Sequence, residues 1–386
     1  MKSWYQVGGT WSRAGMVSLV IEWPGPTVRK QGSGRMTSAA ESFSQLWDPQ
    51  PGWLNTASYG LPPRPGWEAL QTALSDWRVG ATSWEPWDES TTRARGSFAR
   101  LVGADPADVF VGSTVSAAVA PIAAALPDGA KVLVDDVEFT SNVYPWMVHG
   151  DRGVEVIPAA TDKFLEAIRS GIDLVAVSAV QSATGTVLDL AAVVAASKEI
   201  GALLVIDASQ AAGWLPLDVS GVDALIAHTY KWLMSPRGAT LGYLSPRLQE
   251  RCRPLHAGWY AGENVHSSYY GTQLELARSA RRFDQSPAWF SFVGAAPALE
   301  LIEQIGIDVI NRHNVELANE FRAGLGMPPG DSAIVSADIP GAEEAFQTAG
   351  VRAAVRGGRL RASFHIYSTS ADVNLALNAL DGLRKT

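Results

Sequence analysis

The chain reads as an α/β protein: a large, doubly wound, mostly parallel sheet followed by a smaller α+β unit at the C-terminal end. Three observations lead there. Short apolar runs recur between longer stretches with helical patterning, the alternation that a sheet covered by helices on both faces requires. Residues 203–206, Leu-Leu-Val-Ile, are apolar throughout and end in Asp207, as expected of a buried strand delivering a carboxylate to its C-terminal tip. After 223–227, a second apolar run ends in the polar cluster His228-Thr229-Tyr230-Lys231.

With 386 residues, 47% hydrophobic and 18% charged, the chain accommodates one large domain and a smaller one. The expected divisions are a disordered extension over 1–35, an N-terminal arm over 36–65, a large domain over 66–285 and a small domain over 286–386. A net charge of −8 leaves no basic stripe to attract nucleic acid. The apolar run 16–21 is too short to span a bilayer and lacks a small-residue cleavage site, so no membrane partner is expected. The single cysteine, Cys252, excludes an intrachain disulfide and fits a reducing cytoplasm.

Taken in order, Gly and Pro punctuate 53–63 into an irregular arm carrying Asn55, Ser58 and Tyr59. Helical patterns cover 66–77 and about 85–102. A strand over 108–111 leads into Gly112-Ser113-Thr114, a glycine turn opening a helix. Backbone N–H groups and two hydroxyls there make a phosphate cradle, or an ordinary N-cap. Strands follow at 131–135, 153–157 and 173–178; the first leads to Glu138-Phe139-Thr140-Ser141-Asn142 and the last to Gln181-Ser182. Beyond the lysine, 293–302 reads as a long helix, and 333–335, 351–355 and 359–364 as strands of the smaller domain.

A strand-tip Asp or a loop Lys, taken singly, is ordinarily structural. As a pair, Asp207 and Lys231 suit pyridoxal 5'-phosphate. A lysine holds the cofactor's aldehyde covalently, and a carboxylate keeps the pyridine nitrogen protonated so that the ring serves as an electron sink. No metal ligand set is assigned.

The segments D-A-S-Q-A-A-G (207–213) and H-T-Y-K-W-L-M-S-P-R-G (228–238) resemble the cofactor-lysine region of the class V aminotransferase family. That family includes cysteine desulfurases, kynureninase, isopenicillin N epimerase and ergothioneine C–S lyase. The resemblance covers roughly 50–380 and implies the fold of the type I pyridoxal-phosphate transferases. It further implies that Ser113 and Thr114 hold the phosphate, with His228 and Tyr230 beside it, and that Phe139 stacks on the pyridine ring where many relatives have histidine. Gln210 and Ser182 (with Gln181 next to it) then lie near the phenolic oxygen. Trp259 and Ser286 match loops that reach the neighbouring subunit's cofactor phosphate, which implies a homodimer with shared active sites. An aromatic loop such as 256–262 serves equally as plain interface packing. Arg361, in R-A-S-F-H-I-Y-S-T-S-A-D, matches an arginine that forks onto a substrate α-carboxylate, with Asn55 and Tyr59 on the substrate side.

Together these features predict an enzyme acting on an α-amino acid. A desulfurase carries a nucleophilic cysteine just before the terminal arginine strand, and 349–358 has none. Phe139 in place of histidine cannot move protons. The S-P-R-G turn (235–238) and the aromatic stacking residue Phe139 most resemble the ergothioneine-type lyases, and that resemblance implies C–S β-elimination without a catalytic cysteine, with Lys231 as general base. Transamination, epimerisation and kynureninase-like hydrolysis stay open, while a non-catalytic cofactor-binding protein is disfavoured because lysine, aspartate, phosphate turn and arginine occur together.

Overall fold

In the computed structural model, residues 43–168, 171–273 and 275–383 are described; the expected extension over 1–35 and the start of the arm lie outside them. Seven strands make the large sheet: β1 (Val109–Gly112), β2 (Lys131–Asp135), β3 (Glu155–Ala159), β4 (Leu174–Ser178), β5 (Leu203–Asp207), β6 (Ala224–His228) and β7 (Thr240–Leu244). Their order is β1-β7-β6-β5-β4-β2-β3. Only β7 runs against the rest, pairing antiparallel with both β6 and β1. The C-terminal tips of β4, β5 and β6 therefore point the same way, with Ser178 directly opposite Asp207 in the register.

The central strands β4 and β5 are buried along their whole length, which is why they read as unbroken apolar runs rather than as alternation. One core layer packs on the face that carries Val175, Leu204 and Leu225, a second on the face that carries Ala176, Val205 and Ile226. The sequence reading has no counterpart for β7, whose five residues include Gly242. A Cβ there would lie 2.3 Å from the Phe110 ring, so glycine lets β1 and β7 close up, at the expense of a recognisable strand pattern.

Helix boundaries follow local chemistry. Helix Arg64–Val79 begins behind Pro63 and stops at Gly80 in the left-handed region. Helix Glu85–Val102 ends on Gly103 in the same way. Helix Val115–Ala124 starts at Thr114, whose hydroxyl accepts from Ala117 N–H. Helix Pro246–Arg251 stops at Cys252, which caps it in an extended conformation. Helix Trp289–Ile305 packs across the two helices of residues 64–102, contributing Phe292, Leu299 and Ile302 to the large core.

The smaller sheet has the order β8-β10-β9 and is antiparallel: β8 (Ile334–Ala337), β9 (Ala354–Arg356) and β10 (Arg359–Ser363). Gly357 and Gly358, both at positive φ, turn β9 into β10 in two residues. The arm joins this sheet. Leu54 N–H donates to Arg352 O at 2.8 Å and Ser363 N–H to Leu54 O at 2.9 Å. That lacing fixes Ser58 and Tyr59 beside β10, and it brings Gly60 to the lysine loop, where a Cβ would sit 2.0 Å from Lys231 O.

Candidate active site

Loops at the tips of β4, β5 and β6 enclose a narrow cleft that contains Asp207, Ser178, Ser182, Phe139, His228 and Lys231. Asp207 ends β5, buried, with Oδ1 accepting from Ser209 N–H at 2.8 Å. Lys231 follows β6 by three residues and is 8% exposed. Its amine lies 5.5 Å from the centre of the Phe139 ring and 5.8 Å from that of Tyr230. Burial lowers its pKa to about 8; Arg361, Arg356 and Arg237 push the same way and Asp207 opposes them. The lowering leaves far more of this amine neutral near neutral pH than an ordinary lysine has, which suits it to act as a nucleophile and a base.

The loop that carries the lysine is held under strain. Met234 is the one non-glycine residue at positive φ among the described residues (54°). Complete burial of its side chain, Met234 N–H donating to Lys231 O at 3.1 Å, and Ser235 Oγ donating to Thr229 Oγ1 keep it there.

A continuous polar path ties this loop to Arg361. Trp232 Nε1 donates to Gln210 Oε1 at 2.8 Å, and Gln210 Nε2 donates to Ala57 O at 2.9 Å and Ser182 Oγ at 3.0 Å. Arg361 Nη1 donates to Ser182 O at 2.7 Å and Oγ at 3.1 Å, and Nη2 to Ser58 Oγ at 2.9 Å. His365 adds a second tie. Ile366 N–H donates to its Nδ1 at 2.8 Å, so Nε2 carries the proton and donates to Trp232 O at 2.9 Å. Burial lowers this imidazole to about 4, which keeps it neutral in that role.

His228 is also neutral, lowered to about 4 first by burial and then by Lys231 and Arg237. Its Nε2 accepts from Val115 N–H at 3.4 Å, at the start of helix Val115–Ala124, and its Nδ1 pairs with Thr240 Oγ1 at 3.0 Å. Ser113 Oγ donates to Gln285 Oε1 at 2.9 Å, while the Thr114 hydroxyl serves as the N-cap. Ser286, the residue after Gln285, is exposed beside this turn and does not line the lysine cleft. Trp259 lies apart from the cleft as well, 5.4 Å from Trp84 and 5.2 Å from Tyr269 between ring centres. Tyr59 packs at a tilt of 58° against Trp53, 4.7 Å between ring centres, and Asn55 Oδ1 is buried with no partner among the described residues.

Glu138 is the main residue without a role in the sequence reading. Its carboxyl accepts from Ser178 N–H at 2.6 Å, from Ser178 Oγ and from Phe139 N–H at 2.9 Å. Burial, with Asp207 nearby, raises it to about 7. Its position in a recognisable E-F-T-S-N segment is the only local signal; its partner Ser178 lies 40 residues away. Arg356, which donates to Ser58 Oγ at 3.4 Å, went equally unnoticed.

A reactive buried lysine, a strand-tip carboxylate, an exposed aromatic face over the amine and a helix N-terminus define an enzyme site suited to an aldehyde cofactor with an anionic tail. The donor set fits pyridoxal phosphate: Lys231 for the aldehyde, Asp207 for the ring nitrogen, and the Gly112–Thr114 turn for the phosphate. Residues 85–340 match the family model described as aminotransferase class-V. The chain therefore belongs to the class V aminotransferase family, and it is a pyridoxal-phosphate-dependent enzyme. It is 31% identical over 340 residues to the uncharacterized aminotransferase YcbU of Bacillus subtilis (strain 168), covering 81% of this chain and 89% of that protein. It is 26% identical over 394 residues to isopenicillin N epimerase of Streptomyces clavuligerus, covering 88% and 96%. Among solved structures, an apo cysteine desulfurase from Thermococcus onnurineus NA1 shares the fold with a TM-score of 0.78 at 21% identity, covering 92% of this chain and 100% of that one. The cystine C–S lyase C-DES, in complex with cysteine persulfide, gives 0.77 at 19% identity, covering 88% and 99%.

Proposed function

We propose that the protein is a C–S β-lyase acting on an S-substituted α-amino acid without a catalytic cysteine. The observation that carries this reading is the absence of a thiol from the cleft. The chain's one cysteine, Cys252, is buried against Ile122 and Leu248, its thiol pushed up to about 12 by burial. A sulfur atom cannot be passed to such a group, so it leaves with its substituent. In this reading, pyridoxal phosphate supplies the electron sink for the pair left at the α-carbon. Arg361 forks onto the α-carboxylate, and Lys231 takes the α-proton as general base. Asp207 would keep the pyridine nitrogen protonated, His228, Ser113 and Thr114 would hold the phosphate, and Phe139 would pack on the ring. Departure of the thiolate from the β-carbon then yields a 2-keto acid and ammonia after hydrolysis.

Transamination is the second reading, favoured by the 31% identity to a protein named an aminotransferase. A further part of the proposal is a homodimer, with Trp259 and Ser286 contributing at the neighbouring subunit's phosphate; light scattering on the purified protein tests it, and a monomer would refute it. The reaction is tested by supplying the loaded enzyme with S-substituted cysteines and ordinary amino acids with no keto-acid acceptor. Keto acid and ammonia in equal amounts support elimination. Conversion of the cofactor to its pyridoxamine form, reversed by added keto acid, would establish the aminotransferase instead.

A further inference from the structure

Three arginines act on Lys231, yet among the described residues none of them has a carboxylate within ion-pair distance. Arg361 is 1% exposed and spends its donors on neutral oxygens of Ser182 and Ser58, and its Nε has no partner. Arg356 is exposed, donates to Val355 O at 2.8 Å and reaches the same Ser58 Oγ at 3.4 Å. A hydroxyl can accept two hydrogen bonds but brings no charge, so two guanidinium groups converge on a neutral atom. A buried cation such as Arg361 is ordinarily paired; Arg356 is exposed, and what marks it is that it converges on the same oxygen as Arg361.

The convergence is built into the fold. Arg361 on β10 pairs with Ala354 on β9, and Arg356 stands two residues further along, so both arginines project from the same face of the hairpin. The Gly357–Gly358 turn fixes that register. Arg359 stands directly opposite Arg356 on the same face, but its guanidinium donates to Ser336 Oγ at 3.2 Å. One α-carboxylate on Arg361 balances one cation and leaves Arg356 facing the same space.

We propose that the substrate carries a second anionic group on its side chain and that Arg356 selects it. This rests on the reading of Arg361 as the α-carboxylate residue, and not on the elimination step. The holoenzyme is titrated with L-glutamate and L-2-aminoadipate, and with the uncharged L-glutamine and L-norleucine, following the visible absorbance of the cofactor. None of the four has a β leaving group, so binding is read whether or not elimination occurs. The acidic pair should bind at least about tenfold more tightly, the size of one charge-assisted hydrogen bond. Arg356→Gln should erase that preference while changing the neutral pair by less than about threefold, and Arg356→Lys should retain part of it. Equal binding of acidic and neutral amino acids by the native enzyme overturns the proposal. An Arg356→Gln variant that weakens both pairs alike also overturns it, because Arg356 would then serve the α-carboxylate. A cofactor spectrum unmoved by all four would refute Arg361 and Arg356 together, whereas failure to release ammonia in the acceptor-free assay would count against elimination alone.

Discussion

The two ends of the cleft settle their charges differently. At the tips of β4 to β6, Asp207 offsets part of the field at Lys231, and Glu138 is ringed by Ser178 and Phe139 donors. At the β9–β10 end, Arg361 and Arg356 meet over Ser58 with no carboxylate within ion-pair distance among the described residues. The chemistry end is preorganised by the chain itself, which keeps reorganisation low when charge develops. On the proposals above, the second end is completed by what binds, and its unmet charge would give the site its selectivity.

The largest expected effect is at the first end. Lys231→Ala should remove the absorbance of the covalently held cofactor and lower turnover by about 10³-fold; an unaltered spectrum would refute the lysine. Asp207→Ala follows, with a loss of about 10²-fold in kcat because the ring nitrogen loses its counter-charge. Unchanged turnover in that variant would sink the electron-sink assignment.

Arg361→Gln tests the second end. The loss of charge-assisted bonds should raise KM for an amino acid by roughly 10–100-fold, more than it lowers kcat. A change confined to kcat would move Arg361 from recognition to chemistry. Ser182→Ala joins the two ends, since Ser182 links Gln210 to Arg361; kcat/KM should fall by about fivefold, the scale of one neutral hydrogen bond. No change would show that the path carries no coupling.

The smallest effect is a shift along the pH axis. With its amine lowered to about 8, the apo-protein should capture added pyridoxal phosphate faster as pH rises, levelling off above that value. Arg237 lowers this amine, so Arg237→Gln should move the midpoint upward. A capture rate still climbing beyond pH 10 in the native protein would mean an ordinary lysine.

Much of the chemistry end was legible along the chain. Asp207 closes an apolar run, Lys231 stands three residues past another, and Thr114 caps a helix after a glycine turn; each feature is set by neighbours within one element. The class of fold was legible for the same reason, because buried parallel strands are written as continuous apolar runs. The β7 strand was not, since its glycine answers to Phe110 across the sheet rather than to its own neighbours.

The sequence by itself determined the class of fold, the alternation of strands and helices apart from β7, and the lysine and carboxylate at the strand tips, because apolar periodicity and turn chemistry act over a few residues. Only the tertiary structure decided that Ser58, Ser182, Arg356 and Arg361 meet, that Gln210 is spent on Trp232, Ala57 and Ser182, and that Glu138 is held by Ser178. Ser58 and Arg361 are 303 residues apart, and Ser182 and Arg361 179. Hydrogen bonds between elements that distant are specified by how the arm, the loop after β4 and the β9–β10 hairpin pack, and packing leaves no period in the chain.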